Sequence, residues 1–150
     1  MDNLRWVRLL CPSHIPAQLV QQVKERNYSV EDFYLWHEAH CLSEEPDQIF
    51  NPLNHLYGLM QGPPDPKMVG FIWFTIDPLT KSMWVHTFSI NSDLWNKGKA
   101  IELAQEILLK VKEGAKLKQV FWISTHPQYH EKYGFKRSKS VLMEYGGDNG

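Results

Sequence analysis

Long apolar runs are missing from this chain. Its longest, from residue 69 to 76, falls far short of the roughly 20 residues that a membrane-spanning helix needs, so a soluble protein with no membrane partner is expected. Cysteine is scarce, with only Cys11 and Cys41 present. Two thiols make no disulfide scaffold, and free, reduced side chains are the expectation. Charge of one sign is lacking too, since 16 Lys and Arg face 17 Asp and Glu. A chain so near neutrality gives no reason to expect nucleic acid as a partner, although local basic patches are compatible with it. The opening residues, MDNLRWVRLLCPSH, have no unbroken apolar core of a secretion signal, because Arg5 and Arg8 interrupt it; a cytoplasmic location follows as an expectation. Internal repeats and low-complexity tracts are absent, and 150 residues suit one domain over 1–150 with a core of its own.

What is present is a clear alternation of periods. Residues 4 to 10, LRWVRLL, are β-compatible and end at Cys11-Pro12, which predicts a first strand. In IPAQLVQQVKERN the residues Ile15, Leu19, Val20 and Val23 recur at helical spacing, with Pro16 in the first turn. SVEDFYLWHEAHCL, from 29 to 42, predicts a second helix: Ser29 can cap it, and Phe33, Trp36, His37 and His40 recur every three or four residues. A proline-bearing loop over 43–54 follows, and from His55 the pattern turns to three consecutive β runs, 55–61, 68–77 and 83–91, separated by GPPDPK and DPLTKS. AIELAQEILLKVKEG then places Ala100, Leu103, Ala104, Ile107, Leu108 and Val111 on one helical face, with Gly114 as its stop. KQVFWIST reads as a buried strand, HPQYHEKYG as a short helix ended by Gly134, and FKRSKSVLMEY as a last strand. The order β-α-α-β-β-β-α-β-α-β makes the fold class α+β, or mixed α/β layers, with a mostly antiparallel sheet.

The residues between the third β run and the strongest helix are LWNKGKA. A helix N-terminus carries unpaired N–H groups and partial positive charge, so it suits a phosphate where backbone comes close to the ligand. Gly98 permits such an approach, Ala100 keeps the opening of the helix narrow, and Lys97 and Lys99 add positive charge. Taken alone, a glycine between a strand and a helix is more often just a turn.

Further along stands Tyr129-His130-Glu131-Lys132-Tyr133-Gly134-Phe135. Over about residues 4 to 145 the chain resembles the GNAT superfamily, the acyl-CoA-dependent N-acyltransferases. That family has a strand ending in Val-x-Pro, then Arg/Gln-x-x-Gly-x-Gly/Ala opening a helix. Here Ile90-Asn91-Ser92 takes the first place and Trp95-Asn96-Lys97-Gly98-Lys99-Ala100 the second, without a gap. Trp95 stands for the family's Arg or Gln, and Asn96 for its first Gly. The later motif matches the family's Phe-Tyr-Glu-Lys-x-Gly-Phe at Glu131, Lys132, Gly134 and Phe135.

The resemblance implies a GNAT-like fold and an acetyltransferase that moves an acetyl or similar group from acyl-CoA to a primary amine, by direct attack and without a metal. In it, the backbone of Phe88, Ser89 and Ile90 on a splayed strand would bond the pantetheine arm. The turn from Trp95 through Asn96, Lys97, Gly98 and Lys99 to Ala100 would hold the pyrophosphate of acetyl-CoA. His130 falls where the family commonly has a tyrosine that protonates the CoA thiolate, and His86 where some members carry a histidine of a base relay. Alternation along this β run puts His86 on one face with Trp84, Phe88 and Ile90. Imidazole titrates near neutrality, so either role suits it chemically; a packed or solvated histidine is the plainer reading of both. The second helix and its loop would wall the acceptor site, which makes Trp36, His37, His40 and Glu44 candidate substrate contacts, though core packing explains Trp36 as well. HEAHC is not a zinc-protease motif, since its second histidine comes one residue early, and no metal is expected. The alternative to an enzyme is a GNAT-fold protein that has lost catalysis and serves as a binding or structural subunit, a reading favoured by Trp95 and Asn96. A C-terminal strand over 138–145 would also be placed to pair two subunits as a homodimer.

Overall fold

A computed structural model of the chain describes residues 3–9, 14–26, 54–63, 65–95, 98–124, 126–141, 143 and 145–146. The expected second helix over 29–42 lies outside these residues, and with it Trp36, His37, His40 and Glu44. So do Asn96 and Lys97 of the turn, and both cysteines.

Five strands form one sheet in the order β1-β2-β3-β4-β5: β1 (Leu4–Leu9), β2 (Asn54–Gln61), β3 (Lys67–Asp77), β4 (Ser82–Ile90) and β5 (Gln119–Trp122). The first four pair antiparallel, whereas β4 and β5 run parallel. Parallel neighbours cannot be joined by a tight turn, and a helix, α2 (Lys99–Gly114), makes the connection. A shorter helix, α1 (Ala17–Arg26), follows β1, and α3 (Pro127–Lys132) follows β5.

The two longer helices cover opposite faces of the sheet. On one face Leu19 and Val23 of α1, with Ile15 before it, pack against Leu9, Leu56, Phe71 and Trp73. On the other, Ala104, Ile107 and Leu108 of α2 meet Ile72, Phe74, Met83 and Val85, while Ala100 and Leu103 meet Leu59, Val69 and Ile90. β3 lies in the middle and is buried from Val69 to Phe74 without a break. Covering on both faces is why VGFIWF is an unbroken apolar run rather than an alternating one. At the sheet's far edge the indole of Trp6 donates to the Leu103 carbonyl at 3.0 Å, tying β1 to α2. No helix among the described residues is long and apolar enough to cross a membrane.

Two expectations need correction. The last strand over 135–145 is not formed by its described residues. The chain instead turns back on α3: the Phe135 N–H donates to the His130 carbonyl at 3.1 Å, Arg137 pairs with Glu131 at 3.1 Å, and the Ser140 N–H donates to Ser138 Oγ at 3.2 Å. A serine that engages nearby backbone offers a turn in place of a ladder. Val141, Met143 and Tyr145 keep the period of a strand but are exposed.

The second correction concerns β4, in which His86 was expected to share a face with Trp84, Phe88 and Ile90. Trp73 pairs with Thr87 but Phe74 pairs with Val85, so His86 is an extra residue, a β-bulge. One inserted residue reverses the alternation beyond it. His86 therefore lies against Trp73 on the α1 face, with ring centroids 4.7 Å apart, while Phe88 and Ile90 pack on the α2 face.

Candidate active site at the fork of two strands

The pairing of β4 with β5 runs from Ser82↔Gln119 to Val85↔Trp122. Its last hydrogen bond is from the Ile123 N–H to the Val85 carbonyl, at 3.0 Å. Beyond that fork β5 leaves for α3, whereas β4 continues to Ile90 with β3 as its one strand partner among the described residues. A strand so abandoned presents main-chain groups along its free edge. Asn91 donates its N–H to the Val69 carbonyl at 2.7 Å, so by the alternation of an antiparallel pair Ser89 faces β3, and the groups of Phe88 and Ile90 face the side that β5 has left.

Those two free groups differ in surroundings. The Ile90 carbonyl already accepts from Gln22 Nε2 at 2.6 Å and from Trp95 Nε1 at 2.8 Å. Gln22 also donates to Ser89 Oγ at 2.8 Å, and the Ser89 hydroxyl donates to the Leu19 carbonyl at 3.4 Å. Phe88 is nearer the fork, and its ring meets Trp122 edge-on, with centroids 5.7 Å apart.

Trp122 in turn carries His130, at a ring distance of 4.5 Å. α3 delivers this histidine: Pro127 opens the helix at a position that needs no N–H donor, and the left-handed Gly134, with φ of 97°, lets the chain leave it. His130 Nδ1 stands 2.8 Å from Ser124 Oγ and 3.2 Å from the His126 carbonyl, while its Nε2 is buried with no hydrogen-bond partner among the described residues. Burial lowers its pKa below the ordinary imidazole value, so the ring is neutral at pH 7. His86, on the other face, shares a hydrogen bond of 2.8 Å between Nε2 and Thr75 Oγ1, and burial lowers its pKa to about 4. It too is neutral.

After β4, the Asn91 side chain accepts from the Asp93 N–H at 3.2 Å and caps the single turn Ser92–Leu94, which leads to Trp95 and to α2. Gly98 precedes the helix with φ of 80°, a left-handed conformation that suits glycine, and no side chain caps the helix start. Tyr133, at the end of α3, reaches this glycine. A Cβ on Gly98 would lie 2.5 Å from Tyr133 Cε1, 2.9 Å from Cζ and 3.1 Å from the hydroxyl oxygen. Ala100 is buried against the core and Lys99 half-buried.

Phe88, Trp122 and His130 are thus gathered at the fork, with Gly98 and Tyr133 in contact farther along. His86 is close to the fork in sequence but on the opposite face. Three large aromatics of the sheet are dispersed rather than gathered at the fork: Trp73 faces α1, Tyr57 stacks on Phe74 at 5.8 Å toward α2, and Trp84 stacks on Phe121 at 4.4 Å. A cavity of about 350 Å³, bordered by Trp6, His55, Tyr57 and Lys110 near the C-terminal end of α2, shares no residue with the fork. Gln22 escaped sequence reasoning, although it stands three residues after Leu19 beside the buried stripe of α1. Trp122 and Ser124 had no signal beyond their place in and after a strand.

In three dimensions the chain is similar to an acetyltransferase from Trypanosoma brucei, with a TM-score of 0.61 and 14% identity over 95% of this chain and 99% of that one. It is similar to a ribosomal-protein-alanine N-acetyltransferase from Brucella melitensis biovar Abortus 2308, with a TM-score of 0.61 and 16% identity over 95% and 98%. The chain has the GNAT fold. An aminoglycoside acetyltransferase from an uncultured soil metagenomic sample, solved with sisomicin, is similar too, with a TM-score of 0.61 and 12% identity over 96% and 95%. No family model matches the chain, and no curated protein matches it in sequence. At these identities the likeness is one of GNAT fold, carried by backbone and spacing rather than by side chains.

Proposed function

We propose that this chain is a single-domain N-acyltransferase that moves an acetyl or similar group from acyl-CoA to a primary amine. The observation that carries the reading is the fork: β4 parts from β5 after Val85, which leaves the main chain of Phe88 facing an open edge, with His130 beside it through Trp122. Within a GNAT fold this is where an acyl thioester fits. The amine nitrogen attacks the thioester carbonyl carbon directly, the C–S bond breaks, the amine gives up a proton and the leaving thiolate gains one. His86 and His130 lie on opposite faces and are both neutral, so each can accept a proton: His86 takes the one the amine gives up, and His130 must first take one from solvent before passing it to the leaving sulfur. By the GNAT resemblance the Trp95-to-Ala100 turn lies toward the donor's diphosphate end, and Trp36, His37, His40 and Glu44 are assigned to the acceptor wall.

Calorimetric titration with acetyl-CoA tests the reading. Binding is expected, and no heat and no thermal shift at about millimolar ligand, weaker than a typical KM, would sink it. With an amine substrate in hand, His130→Ala should slow turnover by about a hundredfold while changing donor affinity little. Unchanged turnover would assign proton delivery to another group, such as Tyr129 or Tyr133. A second reading, a GNAT-fold subunit without catalysis, is favoured by the occupied Ile90 carbonyl and by Tyr133 on Gly98; the same titration separates the two.

A further inference from the structure

The far end of the free edge is filled by the chain itself. A backbone carbonyl has two acceptor positions, and at Ile90 both are taken, one by Gln22 reaching from α1 and one by Trp95, whose ring packs toward α2. Together they stand where β5 would have donated had it continued. Ile90 thus has no acceptor left for a ligand's amide.

Gly98 tells the same story at the next step. A glycine before a helix lets a phosphate approach the backbone because no Cβ intervenes. Here the freed space holds the tip of Tyr133, close enough that any Cβ would collide with its ring. The ring meets that of Tyr129 edge-on, with centroids 5.1 Å apart, and the backbone beneath it is held by the Gln105 side chain, which donates to the Tyr133 carbonyl at 3.3 Å. The glycine is explained by a tyrosine.

From these two closures we infer that the site recognises its donor at the thioester end alone, so that its substrate class includes acyl thioesters that lack the diphosphate and nucleotide of CoA. The diphosphate and nucleotide of CoA add little to binding. The inference rests on the acyl-transfer reading above and narrows it. Phe88 remains as the main-chain contact next to the fork. Trp95, Gln22 and Tyr133 become the residues that set the length of donor engaged. No such role attaches to Gln22 or Tyr133 in the sequence motifs.

Acetyl-CoA and S-acetyl-pantetheine, which lacks the diphosphate, distinguish the possibilities in paired calorimetric titrations. The two dissociation constants should agree within about threefold, whereas each charge-assisted hydrogen bond to a phosphate would favour acetyl-CoA by roughly tenfold or more. A preference of that size in the unmodified protein overturns the inference and leaves the acyltransferase standing. Absence of binding by both ligands overturns the two together. Tyr133→Ala clears the face of Gly98 and should shift the ratio toward acetyl-CoA by about tenfold; a ratio unchanged in a folded variant overturns the inference as well.

Discussion

The two ends of the free edge of β4 teach different things. At the fork, a parallel pair ends, a bulge turns His86 to one face, and Phe88, Trp122 and His130 gather on the other. Five residues on, at Ile90, the same edge is sealed by Gln22 and Trp95, and beyond it Tyr133 covers Gly98. The spacing along the chain is that of the GNAT resemblance at both ends. Backbone geometry therefore persists where side chains have been exchanged, and the exchange decides whether freed polar groups await a ligand or are satisfied internally. An internally satisfied end is stabilising, because a buried carbonyl without a partner costs about 1–3 kcal/mol.

The contrast can be broken most forcefully at Gly98. Gly98→Ala adds backbone strain at a positive φ to a collision with Tyr133, and should lower stability by about 4 kcal/mol in urea unfolding. In a Tyr133→Ala background only the strain remains, so the loss should fall to about 2 kcal/mol. Equal losses in both backgrounds would mean that the ring yields freely and closes nothing.

Next in size is the seal at Ile90. Gln22→Ala and Trp95→Phe each leave one donor and should cost about 1 kcal/mol, but the pair leaves the carbonyl with none and should cost about 3 kcal/mol. Strictly additive losses would show that water takes over the carbonyl and that the seal is replaceable.

The smallest effect sharpens the fork. His86 has a folded pKa of about 4 against 6.5 for a free imidazole. Between those values the unfolded chain binds the proton more readily, so stability is full above about pH 6.5 and falls as pH drops toward 4. His55 adds to the same slope: its pKa is lowered to about 4 by burial, with the charge of Arg8 second. In His86→Gln the loss of melting temperature across this window should be shallower, with the share of His55 remaining. An unchanged profile would mean that His86 is already charged, or already exposed, in the folded protein.

Several elements were legible beforehand because their signals are local. The apolar stripe of AIELAQEILLKVKEG needs one face of one helix, and the helix runs Lys99–Gly114. MVGFIWFTID reads as a β run, and β3 is a strand over Lys67–Asp77. The final strand is not formed by its described residues, and no local sign shows that Phe135 and Arg137 hold the chain to α3 while Ser138 turns it. His86 was put on the wrong face because period counting assumes that no residue is inserted, and the bulge is visible only in the register with β3.

By itself the sequence determined the striped helices α1 and α2, the β run that became β3, and the spacing of the two motifs around α2. These depend on neighbours within a few positions. Only the tertiary structure decided that Gln22 and Trp95 meet on one carbonyl, sequence separations of 68 and 5 residues closing on a single atom. It also decided that the space spared by Gly98 belongs to Tyr133. Contacts between elements far apart in the chain leave no periodic trace, since any side chain of suitable reach can make them.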